Sequence, residues 1–124
     1  MEKVTGIGGF FFRAKDPEAL TQWYTTHLGI DIGGAPWAQN AGPTVFQPFT
    51  MTSDYFPETN PFMLNFRVSD LTTLMMQLEG AGIEVETRDE WVSQIGRFAR
   101  IHDPEGNPIE LWEPSQMVRD RMGV

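Results

Sequence analysis

The chain has 124 residues, 40% of them hydrophobic, with 9 Phe, 4 Trp and 2 Tyr, which is enough to bury one sizeable core. Its 17 acidic and 9 basic residues give a net charge of -8, which disfavours nucleic acid, and the lack of cysteine excludes disulfides, thiolate metal ligands and a cysteine nucleophile. With no apolar run of membrane-spanning length and no signal-peptide pattern, we expect a single cytoplasmic domain with a small-molecule partner and no membrane or nucleic-acid partner.

An internal repeat organises the sequence. The stretch FFFRAKDPEALTQWYTTHLGID aligns with MLNFRVSDLTTLMMQLEGAGIE, which places Arg13 on Arg67 and Asp16 on Asp70, each pair 54 residues apart. We therefore expect one domain over 1–124 with four parts. These are a first module over about 1–52, a linker over about 53–60, a second module over about 61–113 and a C-terminal tail over 114–124.

Each module is predicted to contain one helix that packs on a sheet. Asp16 precedes the first apolar-periodic segment as an N-cap, and Gly29 ends that segment. Asp70 takes the same place in the second module, where Gly80 or Gly82 is the expected stop. Both helices present one apolar stripe, as expected for helices that cover a sheet.

Strand-like segments broken by turn residues follow each predicted helix. They lie around 33–37 and 44–51 in the first module and around 83–87 and 97–102 in the second. The final hairpin is expected to turn at 103–107, with the sequence DPEGN. This order predicts an α+β fold with helices on one side of the sheet.

Residue parity along the strands separates a covered face from an open face. Ile109 and Leu111 are predicted to face the helices, which leaves Glu110 and Trp112 on the open side. Trp37 and Trp91 are further candidates to line or cover this cleft. By parity and by the repeat offset, the open face also carries Phe11, Arg13, Met63, Asn65, Arg67, Phe98, Arg100 and His102.

Glu110 is the strongest single site signal, because a carboxylate in mid-strand between large aliphatic residues is unusual. It fits two interpretations equally well: a site residue, or a structural ion pair with Arg100, Arg13 or Arg67. His102 is a second candidate acid, base or replacement metal ligand, and the alternative is a solvated residue at the rim.

Both ends of the sequence resemble a known family. The segments IGGFFFRAKDPEALTQWYTTHLGI and GRFARIHDPEGNPIELWEP are similar to glyoxalase-like proteins of the vicinal oxygen chelate superfamily, which includes glyoxalases, bleomycin-resistance proteins and extradiol dioxygenases. The resemblance implies two βαβββ modules, which form a curled mixed sheet with an open cleft. It also implies a homodimer.

The same resemblance implies an altered metal site. The four ligand positions of the family's metalloenzymes fall on Gly9, Gln47, Met63 and Glu110, and only Glu110 and Gln47 carry groups that could bind a metal ion. No metal or other cofactor is therefore expected, and weak binding of a divalent metal such as Mg or Mn is the alternative.

Three functions follow as expectations. The first is binding of a small organic molecule, a drug or a metabolite, in the cleft, where Gln47 and the open-face residues would contact it. The second is a metal-assisted lyase or isomerase of glyoxalase type, or a dioxygenase-type enzyme, with Glu110 as base or ligand. The third is a non-catalytic regulatory or partner domain. Because acidic net charge and open-face arginines favour opposite ligands, ligand charge stays open.

Overall fold

A computed structural model describes residues 1–30 and 36–124, and within them it contains three helices and four strands. Among these described residues, no helix is long and apolar enough to cross a membrane. The elements in chain order are α1 (Pro17–Leu28), β1 (Leu64–Arg67), α2 (Leu71–Gly80), β2 (Val92–Ser93), β3 (Gly96–His102), β4 (Pro108–Pro114) and α3 (Gln116–Met122), with a 3₁₀ turn at Asp89–Trp91 before β2.

The helix of the first half begins and ends where its sequence predicts. The Asp16 carboxylate accepts a hydrogen bond from the backbone N–H of Ala19 at 3.1 Å, which satisfies one of the free donors of the first turn. Gly29 follows the last residue with φ of 70°, a left-handed conformation that glycine adopts without strain. The predicted boundaries of α1 are therefore confirmed.

The helix of the second half repeats this construction. Asp70 accepts from the backbone N–H of Thr73 at 3.0 Å, and this hydrogen bond is the main reason that the pKa of the exposed Asp70 carboxyl is lowered. The helix ends at Gly80, the first of the two predicted stops, and Gly82 then turns the chain with φ of 82°. Both halves of the repeat thus use an aspartate cap and a glycine turn.

The four strands of the described residues form one mixed sheet in the order β1-β4-β3-β2. β1 pairs with β4 in parallel, whereas the pairs β4/β3 and β3/β2 are antiparallel. Residues 103–107 join β3 to β4 as the predicted hairpin turn, closed by a hydrogen bond from the Asp103 N–H to the Asn107 carbonyl at 3.0 Å. All four of these strands belong to the second half of the repeat.

The core lies between this sheet and the first two helices. Ile109 and Leu111 are fully buried, so the predicted covered face of β4 is confirmed. On the neighbouring strand Ala99 and Ile101 are also fully buried and face the same side. The helices complete this cluster with Leu20, Tyr24, Leu71 and Leu78.

Within its described residues, the first half does not form the strands that its sequence predicts. Residues 36–51 contain no strand, and the predicted strand at 33–37 lies largely outside the described residues. Val45 and Phe46 of this segment are exposed. Among the described residues, no strand lies beside the segment to pair with its backbone. The predicted strand at 83–87 is reduced to one bridge, between Glu86 and Arg100.

The turn between β3 and β4 anchors the first half to the second. The Tyr24 hydroxyl of α1 donates to the Asp103 carboxylate at 2.7 Å. Two residues further along the turn, the Glu105 carboxylate accepts from the backbone N–H groups of Lys15 and Asp16 at 2.6 and 3.0 Å. The DPEGN segment thus holds the start and the middle of α1 against the sheet.

Candidate functional site

The open face of the sheet carries a row of polar side chains that runs across the strands. Asn65 of β1 lies beside Glu110 of β4, and Glu110 lies beside Arg100 of β3. The bridge between Arg100 and Glu86 extends the row by one residue. We call these four residues the polar row; it alternates an amide, an acid, a base and an acid on one face of a sheet.

The next row on the same face is aromatic. Arg67 pairs in register with Trp112, and Trp112 with Phe98; we call these three residues the aromatic row. The Phe98 and Trp112 rings stack with centroids 5.9 Å apart and an interplanar angle of 3°. The Trp112 indole donates to the Ile95 carbonyl at 2.9 Å, and Arg67 donates to the Asn40 carbonyl at 2.8 Å. Trp112 is only 8% exposed and Phe98 is half-buried, so the row holds a largely buried stacked pair whose neighbouring polar groups are bonded to backbone carbonyls.

Glu110 is the centre of the polar row, and it is only 8% exposed. One carboxylate oxygen accepts from the Asn65 amide at 2.7 Å, and the other accepts from the Tyr55 hydroxyl. Both oxygens therefore have a neutral donor, which is how a buried carboxylate is stabilised when no cation pairs with it.

The ion pair that the sequence left open for Glu110 does not form. Within residues 1–30 and 36–124, the salt bridge present joins Arg88 to Glu86 at 2.8 Å, on the exposed surface. Arg100 is the cross-strand neighbour of Glu110 and is 6% exposed, yet it directs its guanidinium at aromatic rings. A structural ion pair with an arginine therefore does not explain why a carboxylate occurs at position 110.

Arg100 contacts two aromatic residues, Tyr55 in a segment without helix or strand and Trp91 in the 3₁₀ turn. Its guanidinium carbon lies 5.2 Å from the Tyr55 ring centroid and 5.5 Å from the Trp91 ring centroid, within the range of cation–π attraction. One terminal nitrogen donates to the Tyr55 carbonyl at 3.0 Å, while the buried Nε has no hydrogen-bond partner among the described residues. A buried N–H without an acceptor is destabilising, so this side of Arg100 has capacity for one more contact.

Tyr55 fills the space above the polar row. Burial, and then the hydrogen bond to Glu110, raise the pKa of Tyr55 to about 12. The hydroxyl therefore stays protonated and donates to Glu110 at neutral pH. Its ring also contacts Phe49, with centroids 5.9 Å apart, and Trp91 at 6.4 Å. The Tyr55 side chain therefore contacts one acidic residue, one basic residue and two aromatic rings.

The other residues predicted for the site do not belong to either row. Met63 is half-buried and directly precedes β1, whereas His102 is exposed at the end of β3, opposite Pro108. Phe11 and Arg13 lie in the exposed segment before α1, where Phe11 is 92% exposed, and Gln47 is exposed in the segment 36–51. The rows bring together Asn65, Arg67, Phe98, Arg100, Glu110 and Trp112.

A surface pocket of about 430 Å³ opens beside the polar row, near the C-terminal end of β3. It shares Arg100 and Glu86 with that row, and His102 lies in its wall. The remaining lining residues are Trp23, Gly82, Ile83, Glu84 and Pro104. Open volume thus lies next to Arg100, while the space over Glu110 is taken by Tyr55.

Tyr55 is the site residue that the sequence did not reveal. It lies in the predicted linker, about 53–60, whose turn formers suggested a connection with no further role. The available signal was an aromatic pair, Tyr55 and Phe56, in an otherwise polar turn-rich segment. Trp91 contacts Arg100 of the polar row, whereas Trp37 contacts Phe66, with ring centroids 6.3 Å apart. Because Phe66 shares the parity of the covered face, Trp37 lies away from the rows.

The residues do not fit a metal ion of the kind that the family's enzymes use. Glycine and methionine stand at two of the four implied positions, Gly9 and Met63, which leaves one carboxylate, Glu110, and one amide, Gln47, as possible ligands. Among the described residues, no group of three or more His, Cys, Asp or Glu side chains is placed to hold a metal ion. A polarising metal therefore has no evident ligand set here.

Comparison with known proteins settles the family. A family model for the glyoxalase-like domain matches residues 9–112. The chain belongs to this glyoxalase-like family of the vicinal oxygen chelate superfamily. Among solved structures it is similar to TnmS3, an antibiotic binding protein from Streptomyces sp. CB03234, with 22% identity, a TM-score of 0.62, and 93% of this chain and 100% of TnmS3 covered. A search of curated proteins finds no significant match.

Proposed function

We propose that this glyoxalase-like protein binds a small organic molecule on the open face of its sheet, without a metal ion. The observation that carries the proposal is the polar row beside the aromatic row, with Glu110 and Arg100 both buried and not paired with each other. Two buried charged residues that are not paired with each other, next to a stacked aromatic pair, suit a ligand that has both rings and polar groups. The antibiotic binding described for TnmS3 is an activity of the same class.

A homodimer is part of this proposal. Large apolar side chains are exposed in two segments without helix or strand, before α1 and within 36–51. Such a concentration of exposed apolar surface favours association, and a second copy of the chain is the partner we propose. The exposed residues include Val4, Ile7, Phe11, Val45, Phe46 and Met51. A cytoplasmic location completes the proposal.

The enzymatic alternative has less support. As a base, Glu110 would need an electrophile beside it to activate the substrate, and the groups bonded to its oxygens are the neutral Tyr55 hydroxyl and Asn65 amide. His102, the other candidate, is exposed at the end of β3, two residues beyond the polar row. In a regulatory or partner domain without a ligand, the buried Nε of Arg100 would have no acceptor within residues 1–30 and 36–124.

The proposal is tested with a panel of neutral, anionic and cationic aromatic compounds, by thermal shift and tryptophan fluorescence. We expect at least one compound to bind, and Phe98→Ala to weaken it about tenfold, because the variant removes one ring of the stacked pair. Met76→Ala is the matched control, since Met76 is 70% exposed on α2 and should leave affinity unchanged.

The same experiment tests the metal-free part. Affinity should be equal after treatment with EDTA and after addition of Zn, Mn or Mg, and elemental analysis should find no stoichiometric metal. Stoichiometric metal that is lost in Glu110→Ala would overturn that part. Failure of the whole panel, or equal binding by wild type and Phe98→Ala, would overturn the binding face itself.

A further inference from the structure

The Tyr55 side chain is itself a hydroxylated aromatic ring bound on the open face. Its hydroxyl donates to Glu110, and its ring lies under the Arg100 guanidinium at 5.2 Å and against Trp91 at 6.4 Å. These contacts show which groups of a bound ring the protein can recognise. The ring face contacts a cation, the ring contacts an indole edge to face, and the hydroxyl donates to a carboxylate. A free molecule with the same groups would meet the same partners.

The segment that brings Tyr55 to this place has no helix or strand. Residues 49–56 contain a turn at 51–52 and a bend at 55–56, and one internal hydrogen bond runs from the Ser53 N–H to the Thr50 carbonyl at 3.0 Å. Among the described residues, the hydrogen bonds that tie the segment to the sheet both involve Tyr55, through its hydroxyl and its carbonyl. Displacement of one side chain would therefore open the polar row without unfolding a regular element.

A second observation shows that Tyr55 does not satisfy every polar group around it. Arg100 is only 6% exposed, and its buried Nε has no acceptor among the described residues. A ligand that carries a carbonyl or ether oxygen beside its ring could satisfy this donor, which Tyr55 does not. Because the place holds one buried acid, Glu110, and one buried base, a neutral ligand leaves their charges balanced.

We propose that the place of the Tyr55 ring is a subsite for a neutral hydroxylated aromatic group, whose hydroxyl donates to Glu110 once Tyr55 has moved aside. This inference rests on the proposed function, because it assigns a ligand class to the same open face. Tyr55 is then an internal stand-in that keeps the subsite filled and competes with the ligand.

The first test empties the subsite and offers it the missing group. Tyr55→Ala should bind 4-methylphenol, the free analogue of the tyrosine side chain, at least about tenfold more tightly than toluene, since only the phenol can donate to the carboxylate. Wild type should bind 4-methylphenol at least about tenfold more weakly than Tyr55→Ala does. In the double variant Tyr55→Ala/Glu110→Gln the preference over toluene should fall to about threefold, because a neutral amide is the weaker acceptor.

The second test keeps the ring and removes only the hydroxyl, so it does not depend on the folding of Tyr55→Ala. Tyr55→Phe loses the hydrogen bond to Glu110 that a ligand must break, and 2-naphthol should bind it about fivefold more tightly than wild type. Tyr24→Phe is the matched control, because it makes the same chemical change in the other tyrosine, which contacts Asp103 and not the rows. Affinity for 2-naphthol should be unchanged there.

Two results would overturn the inference. One is equal affinity of Tyr55→Ala for 4-methylphenol and toluene, or binding of neither; the other is equal affinity of Tyr55→Phe and wild type for 2-naphthol. If compounds of the panel still bind and Phe98→Ala still weakens them, the proposed function stands and only the subsite is lost. If no compound binds either wild type or the Tyr55 variants, both fall together.

Discussion

Two tyrosine–carboxylate pairs occupy different regions of the molecule, and their surroundings differ. The Tyr24 hydroxyl donates to Asp103 at 2.7 Å inside the contact between α1 and the β3–β4 turn. Asp103 also accepts from the Asn107 amide at 2.7 Å and from the backbone N–H groups of Glu105 and Asn107 at 2.9 and 3.0 Å. Every partner in this pair comes from a helix or from the turn itself, and Asp103 is 4% exposed.

The second pair, Tyr55 and Glu110, is less fully enclosed. Glu110 has two side-chain donors, Tyr55 and Asn65, and Tyr55 comes from a segment without regular structure. Beside it Arg100 retains a buried N–H with no acceptor among the described residues. Asp103 is thus enclosed by a helix and by its own turn, whereas Glu110 depends on a tyrosine from a segment without helix or strand.

The difference separates a structural carboxylate, Asp103, from the carboxylate that we propose for the site, Glu110, although both are buried. Burial and a tyrosine partner are common to Asp103 and Glu110, so neither property discriminates. What discriminates is whether the donors belong to the same rigid elements and whether neighbouring polar groups are satisfied. Substitutions in the two pairs can measure each side of this contrast.

The largest expected effect is on the enclosed pair. Asp103→Ala leaves the Tyr24 hydroxyl, the Asn107 amide and two backbone N–H groups without their acceptor, so the free energy of unfolding should fall by roughly 3 kcal/mol. Urea denaturation followed by circular dichroism measures this loss. Asp103→Asn, which keeps one acceptor oxygen, should lose less, and a loss below about 1 kcal/mol in Asp103→Ala would show that the turn is not anchored through this carboxylate.

The elements of the enclosed region were largely predictable from sequence. Local rules set them: an aspartate that caps α1, a glycine after its end, and a turn sequence at 103–107. The covered face of β4 followed from strand parity, since Ile109 and Leu111 alternate with polar and aromatic residues. These features depend on residues that are close together in the sequence, so they can be predicted from it.

The open face was only partly predictable, because it depends on contacts distant in sequence. Parity placed Glu110 on the correct face, but its choice between Arg100 and another partner required the path of residues 49–56, which has no periodic pattern. Tyr55 was hidden in a segment that its turn formers assign to a linker. The predicted strand at 44–51 failed for a related reason: a β-type sequence forms a strand only where another strand is there to pair with it.

The effect of intermediate size comes from removing the tyrosine hydroxyl in each of the two pairs. Tyr24→Phe should lower the free energy of unfolding by about 1.5 kcal/mol, because it removes a buried hydrogen bond to a carboxylate inside the helix–turn contact. Tyr55→Phe should lower it by less, about 0.5 kcal/mol, since Tyr55 is half-buried and its segment can rearrange. Parallel urea titrations of the two variants measure the difference, and a larger loss in Tyr55→Phe would reverse the contrast between the pairs.

The smallest effect appears only in alkali and uses the fact that the chain has 2 tyrosines. Burial, followed by the hydrogen bond to the neighbouring carboxylate, raises the pKa of Tyr55 to about 12 and raises the pKa of Tyr24 above its ordinary range. In the unfolded chain tyrosine titrates near pH 10. At about pH 10.5 the native protein should therefore show little tyrosinate absorbance, whereas the protein in urea should show most of it.

The sign of the stability change follows from linkage. A group whose pKa is raised by folding stabilises the protein fully below its unfolded pKa, and this contribution is lost as the pH rises through the folded pKa, so the free energy of unfolding should decrease above about pH 10. Tyr24→Phe leaves Tyr55 as the one remaining reporter, which should then ionise with a pKa of about 12. If Tyr55 instead ionised near pH 10 in the folded variant, its hydroxyl would not be buried against Glu110, and the contrast between a closed pair and a displaceable one would lose its second member.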